Sequence, residues 1–511
     1  MKHSTKTFKT HTNVESESNS LSIKQQLVHL VLICLLILAG NGLFANNLQI
    51  SNVVLTGQNT TDHYSLVNFD ISWDNSWRVS TTQANWDAAW VFVKYRVKTQ
   101  TYWHHATLHY VNGSGSGDGH TEPANSDINS ANDNNSGGAY GVFIRHNYSM
   151  TQGSVNYAGV KLRWDYGVDG LADGDLVEIC VLGIEMVYVP QGSFYVGSGG
   201  SEINHFYAYP TSTKAYSIYS ESSITVGTTN GNLYYSNSNG DGGDQAGPIP
   251  YNFPKGYNAF YCMKYEITQD QYTSFLNKLT VTQDSYRFPN ENGYLRHAIA
   301  GSPGSRTTTK PYVACNYLSW EDIGAYLDWA ALRPMTELEY EKVCRGNPSP
   351  VANEYAWGNT TITQATGISN DGATNETASN SGANCVCAQG NGGIQGPVRV
   401  GCFGQGVNTR TGVGASYYGI MELSGNLGEC VVTVGGTNGR AFTGENGNGE
   451  LDYGGDANVS NWPSGGVGIR GGDWHNSSDH LRVSDRSEAN DGAVGVVRDA
   501  VFGGRGCRVA P

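Results

Sequence analysis

The chain has 511 residues, a formal net charge of -14 and a pI near 5.3. Such an acidic surface repels phosphate backbones, and no basic stripe with interleaved aromatics is present, so nucleic acid is excluded as a partner. About 39% of residues are hydrophobic, enough for sizeable cores, while 66 glycines and 31 tyrosines describe a loop-rich protein with aromatic anchors.

In chain order, Leu27 to Leu38 form an apolar run broken only by His29, preceded by Lys24 and followed by Gly40, Gly42 and Ala45. This reads as a signal peptide over residues 1–45, because the run is shorter than the roughly 20 residues that span hydrocarbon. Export as a secreted, periplasmic or cell-surface protein follows, with no stable membrane span. Nine of the ten cysteines lie beyond Cys34 in this run, an odd number, so at least one is free or pairs with another chain. Cys385-Val-Cys387 reads as disulfide-bonded or free thiols, since C-x-C without further ligands is a weak metal signal.

Residues 46–184 read as a β-sandwich domain. Strands are predicted over Leu48–Leu55, Tyr64–Trp73, Trp90–Lys98, Trp103–Val111, Val142–Tyr148, Val160–Trp164 and Val177–Val189. Val67, Phe69, Ile71 and Trp73 alternate, as do Val91, Val93, Tyr95 and Val97, which predicts half-buried antiparallel strands. Asn112 to Gly138 is polar and Gly-rich and reads as a long surface loop. His104, His105 and His109 fall on a predicted strand without carboxylate partners at ligand spacing and read as ordinary histidines.

The grammar changes near Ile184, and residues 185–511 form a second domain. Three helices begin with capping boxes: Thr268 with Gln271, Ser319 with Asp322, and Thr336 with Glu339. Their apolar faces are Tyr272, Phe275, Leu276 and Leu279; Ile323, Tyr326, Leu327 and Ala330; and Tyr340, Val343 and Cys344. Beyond Gly346 the sequence is Gly-rich, with few strand signals and no helix. Asp473, His475, Asp479, His480, Ser484 and Asp485 offer the residue types of a hydrolytic triad, but no nucleophile elbow accompanies them.

Six ordered blocks carry a family resemblance: Tyr265–Tyr272 (YEITQDQY), Leu318–Asp322 (LSWED), Arg333–Glu341 (RPMTELEYE), Tyr355–Gly358 (YAWG), Gly419–Asn426 (GIMELSGN) and Arg470–Trp474 (RGGDW). With the opening strand Met186–Gly197, they make residues 185 onward similar to formylglycine-generating enzymes, the sulfatase-modifying factors. The resemblance implies an α+β chain, an N-terminal antiparallel β-sandwich followed by a C-type-lectin-like domain poor in regular secondary structure.

In that family two cysteines five residues apart hold copper(I). The matching positions here are Asn476 and Leu481, neither of which can supply the thiolate a soft ion needs, so no catalytic residue and no copper are expected. The family also implies a structural calcium, with Glu422, Glu429 and the backbone carbonyls of Gly425 and Leu427 as ligands. Iron-dependent relatives carry their histidines on a separate helical domain that this chain lacks.

The ending, Gly-Gly-X-Trp to Gly-X-Arg, further resembles secreted variable proteins diversified by retroelements. It implies a frame held by Arg482, Arg486 and Arg508 and a changeable polar surface. The expected ligand-contacting residues are Trp474, His475, Asn476, Asp479, His480, Asp485, Asp499 and Phe502, with Trp474 and Phe502 as apolar anchors. The leading expectation is a non-catalytic protein that binds a protein or glycan at the cell surface. The rivals are a formylglycine-generating oxidase acting on sulfatase cysteines, and a structural surface-layer or fibre protein.

Overall fold

A computed structural model describes residues 47–511 except 82–83, 112–118, 131–132, 134–137, 405–408, 493 and 495–496. The expected signal peptide lies outside the described residues. The long strands of the N-terminal part are β1 (Gln49–Asn59), β2 (Tyr64–Arg78), β3 (Asp87–Val97), β4 (Ser126–Ser130), β5 (Val142–His146), β6 (Met150–Trp164) and β7 (Val177–Val189). They divide between two sheets. In the first, β1, β2 and β6 are consecutive and antiparallel, and the short segments Leu108–His109 and Gly138–Ala139 extend it. In the second, the order runs β4, β5, β3, β7 and then leaves the N-terminal part.

Alternation explains how the two sheets meet. Val67, Phe69, Ile71 and Trp73 of β2, Val160 and Leu162 of β6, and Ala89, Val91 and Val93 of β3 share one apolar cluster. The half-buried expectation holds for β2 and is corrected for β3. The opposite face of β3, made by Ala88, Trp90 and Phe92, enters a second cluster with Phe275, Tyr326 and Trp329 from helices of the C-terminal part. This strand is therefore wetted on neither face. The polar stretch expected as loop includes β4, whose Ile128 is fully buried; residues 112–118, 131–132 and 134–137 of that stretch lie outside the described residues.

The expected boundary at Ile184 falls inside β7. That strand pairs with β3 as far as Val187 and, over Met186–Val189, with β8 (Phe260–Met263). Beyond β8 come β12 (Gly506–Val509) and the two-residue segment Arg333–Pro334, so one eight-stranded sheet serves both parts of the chain. A third small sheet joins β9 (Gly428–Val432) to β10 (Val467–Arg470) and, in parallel, to β11 (Phe502–Gly503).

The longer helices are α1 (Gln269–Leu276), α2 (Val281–Arg287), α3 (Trp320–Trp329) and α4 (Glu337–Arg345); beyond Gly346, where no helix was expected, single turns form at Ala388–Gly392, Arg410–Val413 and Thr437–Arg440. The three expected capping boxes all form, and a fourth, Thr280 with Gln283, opens α2. Together with several antiparallel sheets, these short helices make a sheet-rich α+β chain. Among the described residues, no helix is long and apolar enough to cross a membrane.

Helix α4 is the pivot of the C-terminal part. Its Tyr340, Val343 and Cys344 enter an apolar cluster as expected, while Glu337, Glu341 and Arg345, four residues apart, form a buried ionic stripe. Glu337 binds Arg486 at 2.7 Å and Arg470 at 3.0 Å. Glu341 binds Arg470 and Arg345, each at 3.0 Å. Burial pushes Glu337 toward its neutral form, but Arg486 and Arg470 outweigh it and hold the carboxyl below its ordinary range. Removing one partner leaves a buried charge uncompensated, so Glu337→Ala is expected to cost about 3–5 kcal/mol. Denaturant unfolding checks this, with Asp479→Asn, which breaks only the exposed pair to Arg482, leaving the midpoint unchanged.

Candidate functional site

The segment after β10 is placed by close approach. Gly471 and Gly472 have φ of 85° and 59°, and a Cβ on Gly472 would lie 2.9 Å from Leu481 Cδ1. On the other side Gly425, at φ 90°, leaves room for Leu481 Cδ2, 3.1 Å from where its own Cβ would stand. Leu481 is fully buried and shares an apolar cluster with Tyr355, Trp357, Cys385 and Cys387. The rings of Tyr355 and Trp357 stack with centroids 5.0 Å apart. Leu481 O accepts from Ser424 Oγ at 2.7 Å, which fixes the residue lengthwise.

Cys385 and Cys387 come from a loop almost a hundred positions upstream of Leu481, and the backbone ties that loop to the segment. Asn426 N–H donates to Val386 O, Ala388 N–H to Asn476 O at 2.7 Å, and Gln389 N–H to Trp474 O at 2.8 Å. The intervening Val386 points into a different cluster with Ala365, Met421 and Trp474. Extended alternation thus turns both thiols to the same side. Each thiol acts on the other's titration, raising the pKa of Cys385, to which burial adds, and lowering that of Cys387. The C-x-C spacing marked the two cysteines in the sequence, but not their packing against Leu481. The expectation of a disulfide or free thiols resolves to free thiols, as for all nine cysteines among the described residues.

The eight expected ligand-contacting residues separate by burial. Trp474 is corrected: it is 3% exposed, donates Nε1–H to Ala500 O at 3.0 Å and packs in the core, so it cannot anchor a ligand. Asp485 is corrected too, being buried, with Oδ1 accepting from Ser487 Oγ and Oδ2 from Ile203 N. His475, Asp479 and Asp499 are exposed, while Asn476, His480 and Phe502 are half-buried. Asp473 builds the turn that presents the first of these, accepting from His475 N at 2.7 Å and Asn476 N at 2.9 Å. Burial pushes Asp473 up to about 6. Phe502 lies in β11, and the Trp474–Ala500 bond ties this strand's approach to the 473–480 turn. Of the three framing arginines, Arg486 and Arg508 are fully buried, whereas Arg482 is partly exposed and pairs with Asp479 at 2.5 Å.

The calcium ligands implied by resemblance sit beside a residue not anticipated, Glu266. Glu422 accepts from Gly401 N at 2.8 Å, Glu429 takes Arg505 at 2.5 Å, and Glu266 takes Leu427 N at 2.9 Å and Asn426 Nδ2. Oε2 of Glu422 and of Glu429 have no hydrogen-bond partner. Among the described residues, no three His, Cys, Asp or Glu side chains converge on one point. Arg505 already lies on Glu429, and the two oxygens of Glu266 are taken by Leu427 N and the Asn426 side-chain amide. His104, His105 and His109 also gather no ligand set: His105 Nε2 meets Tyr140 O, and His109 pairs with Asp165 at 2.8 Å.

Residues 174–496 match the model of the sulfatase-modifying factor enzyme 1-like domain, more than half of the chain. The chain belongs to that family. No curated protein matches it. At the positions where the resemblance places a copper-binding cysteine pair, this family member carries Asn476 and Leu481, and the carboxamide and the buried alkyl group do not fit a soft ion.

These three buried carboxylates give a pH signature. Burial pushes Glu422 up to about 7, despite Arg505 and the Gly401 N–H, and burial together with negative Glu429 also raises Glu266. The folded state therefore keeps protons that the unfolded chain loses near 4.5, and their contribution to stability falls as pH rises from there through about 7. The melting temperature is expected to be lower at about pH 8 than at about pH 5.5, and Glu422→Gln to flatten that difference. A wild-type melting temperature that rises over this window would exclude the assignment.

Proposed function

We propose that this chain is an exported, non-catalytic member of the sulfatase-modifying factor family, with a C-type-lectin-like core, that binds a protein or glycan at the cell surface. What supports the reading is Leu481, at a position where the resemblance places a family thiolate: it is wedged between Gly425 and Gly472 and fully buried. The surface that remains for recognition is the turn bearing His475, Asn476, Asp479 and His480, with Asp499 and Phe502 at its side. Such side chains offer hydrogen bonds in several directions without demanding one backbone conformation. The frame beneath them is ionic and apolar, so exposed positions can vary without unfolding it. The resemblance to retroelement-diversified variable proteins supports the same division between frame and surface.

A second reading, a formylglycine-generating oxidase, is favoured by the thiol pair Cys385/Cys387 packed against Leu481. One comparison separates the two. The purified chain is tested on immobilised cell-surface glycans and proteins, and with a sulfatase-derived cysteine peptide under copper(I) and oxygen. Binding that is lost in His475→Ala/Asp479→Ala, with an unchanged unfolding midpoint and no aldehyde trapped by hydrazide, supports the binding reading. Aldehyde formation on the peptide overturns it.

A further inference from the structure

We propose that the cavity between the N-terminal sheets and the C-terminal part holds a small acidic sugar, a hexuronic acid or the uronate end of an oligosaccharide, with Arg410 taking its carboxylate and Trp77 its ring. None of the residues 473–502 lines this cavity. The site therefore goes beyond the binding reading and stands whether or not the C-terminal face takes a ligand.

The cavity has a volume of about 440 Å³, within the range of small-molecule sites. Its walls come from the end of β2 (Asn75, Trp77), the start of β6 (Thr151, Gln152), the turn after β8 (Lys264, Tyr265) and residues 410–421. Hydrogen bonds join these walls: Asn85 Nδ2 donates to Tyr418 O at 2.9 Å, and Met421 N to Lys264 O at 3.0 Å. Both parts of the chain thus hold the space open before any ligand enters.

Its rings are set by close approach. A Cβ on Gly419, whose φ is 85°, would stand 2.9 Å from Trp77 Cζ2, so only bare backbone lets the indole lie there. The rings of Tyr417 and Tyr418 stand at 85° to each other with centroids 5.0 Å apart, and Trp77 and Tyr417 are both half-buried. The electron-rich face of such a ring suits the C–H side of a pyranose. At the rim, Thr151 and Gln152 are exposed and bring a hydroxyl and an amide, and Gln152 Nε2 donates to Asn75 Oδ1 at 2.9 Å. These groups match sugar hydroxyls, which an aromatic acid would leave unused.

Charge selects the acidic sugar. On a chain of net charge -14, the lining holds two cations, Lys264 and Arg410, and no carboxylate. Lys264 is already answered by Glu185 at 3.0 Å and Asp87 at 3.4 Å. Arg410 is not. Its Nη2 donates to Cys344 O at 3.0 Å and Ala356 O at 2.7 Å, its Nε has no partner, and among the described residues no carboxylate pairs with it. Burial lowers its pKa despite the field of Glu354. A ligand carboxylate supplies the counter-charge that the protein withholds, in the geometry a guanidinium favours.

The test is calorimetric titration of the full chain with glucuronic and galacturonic acids and their disaccharides, beside glucose, galactose and the uronate methyl esters. One uronate is expected to bind one-to-one, about ten-fold tighter than its ester and its neutral sugar, as a hydrogen bond to a charged group implies. Arg410→Gln is expected to erase that preference, and Arg410→Lys to restore part of it. Gln152→Ala, at the exposed rim, is expected to weaken binding about three-fold with an unchanged unfolding midpoint, which guards against loss through misfolding. No uronate binding at millimolar concentration, equal affinity for ester and acid, or a preference that survives Arg410→Gln overturns the site. His475→Ala/Asp479→Ala is expected to leave uronate binding intact; uronate binding lost there belongs to the C-terminal face and also overturns the site.

Discussion

The irregular C-terminal half depends on a buried chain of charges that begins on α4. Glu337 and Glu341 each bind two arginines, and those arginines come from β10, from the segment after it and from the helix itself. Arg345 passes the network on to Glu354 and Ser484, and Arg486 reaches the Asn204 carbonyl. All five principal side chains are within 2% of complete burial. Isolated buried pairs often gain nothing over apolar packing, because desolvation cancels the Coulomb attraction. Here each guanidinium also donates to backbone carbonyls, as Arg470 does to Asp485 O and Val483 O. The network therefore supplements the short strand ladders of this Gly-rich region, giving its irregular loops a unique arrangement.

That arrangement leaves one face free. The segment from Gly471 to Arg486 is pinned below by Arg470, Arg486, Trp474 and Leu481, and its exposed side chains bear none of the load. A scaffold in which anchoring and presenting residues alternate along a few turns suits recognition, since substitutions above the frame do not reach the ions beneath it. The N-terminal sheets contribute to this rigidity from behind. Trp90 Nε1 donates to Ala330 O, Asn85 Nδ2 to Tyr418 O, and Arg508 lies over the Trp90 ring while binding Asp133.

Much of this was legible in residue order. Capping boxes marked α1, α3 and α4 because a hydroxyl and a side chain three positions on satisfy donors that every helix start exposes. Alternation in β2 and β3 marked the strands, but a period of two reports only that faces differ, so the burial of Trp90 and Phe92 beneath helices far along the chain was hidden. Ile184 looked like a boundary because the family blocks begin there, whereas hydrogen bonding carries β7 straight through it. Trp474 looked like a ligand anchor because aromatic residues in polar loops often are; only the partner at Ala500 identifies it as core. The packing of Cys385 and Cys387 against Leu481 was hidden because the two are distant in sequence, and no local pattern encodes a contact between two irregular loops.

The shared eight-stranded sheet has a consequence for how the chain is made. β12 lies between β8 and Arg333–Pro334, and its partner β8 is synthesised more than two hundred residues earlier. Until the later strand emerges from the ribosome, Phe260–Met263 keeps an open edge next to an apolar cluster that is still unfilled. Contacts of such long sequence separation close slowly, because the loop entropy must be surrendered before the pairing returns anything. The folding polypeptide thus passes through a stage with a sticky margin that closes only when Gly506–Val509 docks.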